Sequence, residues 1–139
     1  MKNNMKSDPY TKAWEKSYLN KDNLSFYPQI DVIRFVAHFI RRRTGFNTFS
    51  KEFSTKPIVI DFGCGSGTHV SFLCENGFYP IGIDISAVCL DQTRDLMKNR
   101  NFIENKDYEL DLIFDNTIKN DSSSIDYVIA HGSLDSMKT

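Results

Sequence analysis

Apolar residues recur along the chain with two different periods. Over residues 29–42, Val32, Phe35, Val36 and Phe39 fall at i, i+3, i+4 and i+7, with Ile33 and Ile40 widening the stripe, a spacing that predicts an amphipathic helix. It is expected to stop near Thr44-Gly45, with Arg41, Arg42 and Arg43 as a solvated basic end beside the negative pole of the helix. The residues before Pro28 are polar with scattered aromatics, Tyr10, Trp14, Tyr18, Phe26 and Tyr27, and read as a short helix or arm. After a polar connection over 46–57 the period changes. Ile58-Val59-Ile60 is β-branched on both faces of a strand, the pattern of a strand covered on both sides. A glycine turn, a helix over 68–75, the stop Asn76-Gly77 and a strand over 79–83 closed by Asp84 follow in order. Ser86 is the expected N-cap of a helix to about Asn99, with Ala87, Leu90 and Met97 on one side. A third strand is expected over 108–110, then a loop rich in Asn, Asp and Ser, then a fourth strand over 125–130.

Strand and helix therefore alternate, which predicts an α/β, doubly wound sheet and excludes all-α and all-β folds. We read residues 1–56 as an amino-terminal helical arm or lid with the first helix, and 57–139 as the core, together one domain. Composition adds little: 40% hydrophobic and 25% charged residues are ordinary for a globular chain. With no run of 18 apolar residues and a polar start, MKNNMKSDPY, a cytoplasmic protein without a membrane role is expected. The three cysteines, Cys64, Cys74 and Cys89, are spaced for neither a CxxC motif nor a disulfide framework. Charge is uneven: residues 1–56 carry eleven Lys/Arg against five Asp/Glu, net +6, and 57–139 carry six against thirteen, net −7. Complementarity between the halves accounts for this, with attraction of an anionic substrate as the alternative.

Candidate chemistry lies in two runs. Val59 to Gly67 reads VIDFGCGSG between a strand and a helix, where Gly63, Gly65 and Gly67 permit a tight turn and close backbone approach to a ligand. About twenty residues on, Asp84 ends an apolar strand, where a carboxylate can accept from both hydroxyls of a ribose. Together they indicate an adenosine-containing cofactor. The dinucleotide pattern G-x-G-x-x-G would need a small residue at position 68, and Thr68 stands there.

Asp61-Phe62-Gly63-Cys64-Gly65-Ser66-Gly67 followed by Gly82-Ile83-Asp84-Ile85-Ser86 resembles the class I S-adenosylmethionine-dependent methyltransferases, whose pattern is an acid before x-G-x-G-x-G and a later G-x-D-x-S. Asp111-Leu112 and the run from Asp121 to Ala130 extend the likeness over roughly 57–135. The resemblance implies a Rossmann-like, mostly parallel sheet with order 3-2-1-4 as the start of the family's 3-2-1-4-5-7-6. It further implies that Gly63, Gly65 and Gly67, with Phe62, Cys64 and Ser66 between them, border the methionine and ribose of S-adenosylmethionine, with Asp61 near its amino group. Asp84 would hold the ribose hydroxyls, Ile85 would flank the adenine, and Asp111 would meet the adenine amino group beside Leu112. The loop His131-Gly132-Ser133 would lie where substrate and cofactor meet.

The expected function is methyl transfer to an unidentified acceptor, a small molecule, sugar or protein side chain, with no metal. His131 is the candidate general base, a structural or capping role being its alternative, and His69 and His38 are read as without chemical role. Trp14 and Tyr18, at i and i+4, are candidates for a lid or for simple packing. A non-catalytic S-adenosylmethionine-binding or interaction module is the alternative, and an NAD-dependent oxidoreductase a further one. Nucleic acid is not expected as acceptor, because Ala130-His131-Gly132-Ser133 stands where an Asn/Asp-Pro-Pro-Tyr/Phe motif would be. The chain ends nine residues after the expected fourth strand, so the reading is of a fragment, or a half that pairs with another chain. All helices would then cover one face of the sheet. The other face is expected to be bare and the fourth strand an open edge available for self-association.

Overall fold

The computed structural model describes residues 9–19, 26–113 and 125–131. Its elements are α1 (Pro9–Leu19), α2 (Ile30–Phe35) continuing into a π-helical turn (Val36–Ile40), β1 (Ile58–Phe62), α3 (Thr68–Glu75), β2 (Tyr79–Asp84), α4 (Ala87–Asn99), β3 (Glu109–Leu112) and β4 (Tyr127–Ile129). The four strands form one parallel sheet in the order β3-β2-β1-β4. This is the Rossmann-like arrangement expected. The order reverses between β1 and β4, which opens a crevice at the carboxyl ends of the strands, where open α/β sheets bind ligands.

Strand alternation divides the core between two faces. Val59 of β1 meets Val32, Val36 and Ile40, Leu73 and Phe78, and Ile129. Beside them, Cys64 and Val70 pack with Leu90 and Met97 of α4 and Tyr108, joined by Leu110 and Leu112 of β3. Each such fully buried aliphatic side chain contributes about 1.5–3 kcal/mol. On the opposite face Ile60, Ile81 and Ile83 cluster with Ile58, Phe62, Ile113 and Ile125. These central residues are at most 3% exposed, so the face expected to be bare is covered along β1 and β2. Val128 of β4, at 62% exposure, is its open part.

Several local expectations are corrected. The helix over 29–42 ends two residues early in a π turn, closed by the Arg41 N–H donating to the Val36 carbonyl at 2.8 Å. Its buried line is Val32, Val36 and Ile40, spaced by four, whereas Phe35 and Phe39 lie on the exposed side, their rings 5.5 Å apart. Arg41 is not a solvated residue of the helix end. It is buried, and its guanidinium donates to the Asn76 carbonyl at 3.1 and 2.5 Å and to the Lys51 carbonyl at 3.3 Å. Arg43 donates to the Glu75 carbonyl, so two arginines cap the carboxyl end of α3 rather than their own helix. Gly77, at φ +79°, lies so close that a Cβ there would collide with the Arg41 guanidinium. In α4 the Ser86 hydroxyl caps Cys89 N–H as expected, but Ala87 is exposed and the buried face is Cys89, Leu90, Thr93 and Met97. The side chains of Trp14 and Tyr18, and Gly132 and Ser133, lie outside the described residues.

Candidate functional site

The loop between β1 and α3 owes its shape to three glycines in the left-handed region: Gly63 (φ +70°), Gly65 (φ +57°) and Gly67 (φ +87°). Gly63 and Cys64 N–H both donate to the Ile83 carbonyl, at 2.8 and 3.0 Å, which pins the loop to the end of β2. The Asp84 carboxylate fastens it further, accepting from Gly65 N–H and from Ser86 N–H, each at 3.0 Å. Thr93 of α4, buried and twenty-eight residues away, closes the clamp: its hydroxyl lies 2.9 Å from the Gly65 carbonyl and 3.0 Å from that of Cys89. A Cβ on Gly67 would sit 2.5 Å from the Thr93 methyl, so the loop and α4 are in direct contact. Sequence reasoning missed Thr93. A hydroxyl residue on the apolar side of an amphipathic helix was its only signal. Cys64 and Ser66 are buried within the loop and Phe62 half-buried before it. Burial, with the nearby Asp61 and Asp84, pushes the Cys64 thiol well above its usual range, which makes it a packing residue and not a nucleophile.

Asp61, at 1% exposure, projects from β1 toward the helices. Its Oδ1 lies 3.8 Å from His69 Nδ1, and its Oδ2 is buried without a hydrogen-bond partner. Burial raises the Asp61 carboxyl, while His69 and His131 draw it back down. Asp84 is likewise raised by burial, opposed by the N–H groups of Gly65, Ser86 and Ile85, and pushed up again by Asp61. Asp61 and Asp84 thus flank one glycine loop, and among the described residues it is His69 that lies beside the Asp61 carboxylate.

His69, in the first turn of α3, belongs to this site rather than standing apart from it. Its Nε2 accepts the Gln29 backbone N–H at 3.1 Å. Its ring meets that of His131 edge-on, 6.0 Å between centroids, and His131 Nε2 lies 3.8 Å from Asp31 Oδ2 of α2. Ile85, 42% exposed, follows Asp84 directly and offers an apolar surface at the same edge. Asp111 is not brought to Asp61 and Asp84. It pairs in register with Ile83, and because Leu110 and Leu112 pack toward α4, alternation turns Asp111 to the face opposite Asp61. Leu112 stands opposite Asp84 in the sheet. Among the described residues no cluster of His, Cys, Asp and Glu is suited to a metal ion, and no helix is long and apolar enough to cross a membrane.

Residues 59–139 match the family model described as a methyltransferase domain. No curated protein matches the chain. Among solved structures, a protein from work on the conversion of a disulfide bond into a thioacetal group during echinomycin biosynthesis is similar with a TM-score of 0.65 at 17% identity, covering 88% of this chain and 46% of its own. A Methanococcus maripaludis protein described as an S-adenosyl-L-methionine-dependent methyltransferase gives a TM-score of 0.65 at 18% identity, covering 89% of this chain and 52% of its own. A chain from the Haloferax volcanii complex of the Trm112 methyltransferase activator with a methyltransferase gives 0.54 at 15%, covering 87% and 45%. At these identities the likeness is one of fold. The chain spans about half the length of these structures.

Proposed function

The chain belongs to the methyltransferase-domain family, and on that premise we propose that it binds S-adenosylmethionine at the carboxyl edge of its sheet, as the cofactor-binding portion of an enzyme that methylates a small molecule, sugar or protein side chain. The observation that carries this reading is the buried Asp61, with one carboxylate oxygen left unpaired, beside a second, half-buried carboxylate, Asp84. Such a pocket favours a cation and repels a pyrophosphate, which argues for a sulfonium cofactor with an ammonium group and against a nicotinamide dinucleotide. The residues fit the cofactor. Asp61 Oδ2 is free to accept from the ammonium, Asp84 retains lone pairs for ribose hydroxyls, and the positive-φ glycines leave no Cβ between loop and ligand. Ile85 offers an apolar flank to the adenine, with Asp111 and Leu112 on the neighbouring strand as its further contacts.

Bound S-adenosylmethionine supplies an electrophilic methyl group, for which in-line placement of a nucleophile is the main requirement. In this reading the chain's own residues orient the cofactor, and His131, two residues beyond β4, takes the proton that the acceptor loses. We also propose that the exposed Val128 and the free side of β4 pair with a second copy of this chain, since β4 has β1 as its sole neighbour among the described residues. Light scattering of the purified chain tests this: a dimer is expected, and a monomer at all concentrations contradicts it.

Calorimetric titration with S-adenosylhomocysteine, with NADH as control, tests the cofactor. Saturable binding of the first ligand alone, lost in Asp84→Ala, is expected. Binding of NADH in its place would revive the oxidoreductase. Binding without methyl transfer to any acceptor would favour a non-catalytic module.

A further inference from the structure

Asp61, His69, Gln29, His131 and Asp31 bring β1, α3, α2 and the turn after β4 to one point. We infer that His69 is a positioning residue that couples the docking of helix α2 to the filling of the Asp61 pocket. The inference rests on the cofactor reading above and concerns how that same site is regulated.

His69 is 12% exposed, and its two nitrogens face different partners. Nε2 accepts the Gln29 N–H, so in this arrangement Nε2 carries no proton and the neutral ring bears its hydrogen on Nδ1, toward Asp61. Gln29 is the N-cap of α2: its carbonyl accepts from Val32 and Ile33, and it makes no side-chain cap. Its N–H bond to His69 is therefore a polar tie between the start of α2 and α3, beside the packing of Val32 in the cluster that holds Leu73. The buried charge of Asp61 can be compensated in three ways, by a proton on Asp61 itself, by a proton on His69 or by a cation on the ligand. A proton on His69 turns Nε2 into a donor facing the Gln29 N–H, and that bond is lost. A ligand ammonium on Oδ2 leaves His69 neutral, and the bond stays.

Cation binding and α2 docking thus favour each other, and protonation of His69 opposes both. The titratable groups facing His69 are Asp61 of β1 and His131 beyond β4, the latter lying 3.8 Å from Asp31 of α2. S-adenosylhomocysteine keeps the ammonium and serves as the probe.

Titration in buffers of different ionisation enthalpy near pH 6 is expected to show proton release on binding. Affinity should rise between pH 5.5 and 7.5, by up to about tenfold per unit for one displaced proton. Hydrogen exchange at the Gln29 amide should slow when saturating ligand binds at pH 5.5 and far less at pH 7.5, where the bond to His69 is already made. His69→Gln, whose side-chain oxygen still accepts from Gln29 but does not titrate, should bind with no proton release and a flat pH profile. Absence of release in the unsubstituted protein, or release that persists in His69→Gln and so comes from Asp61 itself, would overturn the inference. If His69→Gln does not fold, proton release and Gln29 exchange in the unsubstituted protein decide: both present support the coupling, and the lack of either overturns it. A protein that binds no S-adenosylhomocysteine at any pH overturns the cofactor reading, and the coupling with it.

Discussion

The two ends of α3 treat buried charge in opposite ways. At its carboxyl end Arg41 is buried, yet it donates to two carbonyls and lies 3.8 Å over the Phe49 ring, with Phe53 and Phe78 near. At its amino end Asp61 is buried more completely, and one of its oxygens has no partner. Polarity suits both positions, since a cation belongs at the negative end of a helix and an anion at the positive end. Satisfaction separates them. A charge whose hydrogen bonds are complete holds a fold together, whereas a buried carboxylate left open costs stability and is retained where a ligand completes it.

Arg41→Ala breaks this contrast most severely. It leaves the Asn76 and Lys51 carbonyls without donors and empties the space between Phe49, Phe53 and Phe78, for an expected loss of about 2–4 kcal/mol in urea unfolding. Thr93→Val has nearly the same shape and removes only the hydroxyl clamp on Gly65; about 1–2 kcal/mol of stability and a several-fold loss of S-adenosylhomocysteine affinity are expected. Unchanged affinity would show that the loop holds its shape without α4.

Asp61→Asn should have the smallest effect on stability and one of opposite sign, a gain of about 1 kcal/mol near neutral pH. The Asp61 carboxyl is raised in the folded state above its unfolded value of about 3.9, so the cost of ionising it is absent in acid and develops as pH rises through the folded value. The advantage of Asp61→Asn should therefore vanish near pH 4 and grow as pH rises. Denaturant midpoints over that range check it, and a constant difference would contradict the assignment.

The strands, the glycine loop and the Ser86 cap were legible because each follows from a local pattern: β-branched runs, glycine spacing, a hydroxyl before a helix. The missed features are contacts across the chain. Thr93 reaches Gly65, Arg41 reaches Asn76, and His69 reaches Gln29 over twenty-eight, thirty-five and forty residues. Arg41 reads as solvated because three successive arginines suggest a wet surface, and aromatic stacking inside a turn leaves no periodic mark. Phe35 and Phe39 fit a helical stripe, but the π turn aligns Val32, Val36 and Ile40 and leaves the rings outside. Asp111 shows a different limit. Its position one residue from the end of β3 agrees with the motif, but only the pleat reveals which face it takes.

The most direct test compares two ligands that share the adenosine part. S-adenosylhomocysteine carries an amino-acid end with its ammonium and 5′-methylthioadenosine does not, so the change in the ratio of their affinities on Asp61→Asn reports on the group assigned to Asp61. The account predicts that the unsubstituted protein prefers S-adenosylhomocysteine and that Asp61→Asn abolishes most of this preference while 5′-methylthioadenosine binds as before. Equal weakening of both ligands by Asp61→Asn would contradict it, leaving the buried carboxylate a part of the loop's structure rather than the seat of a cation.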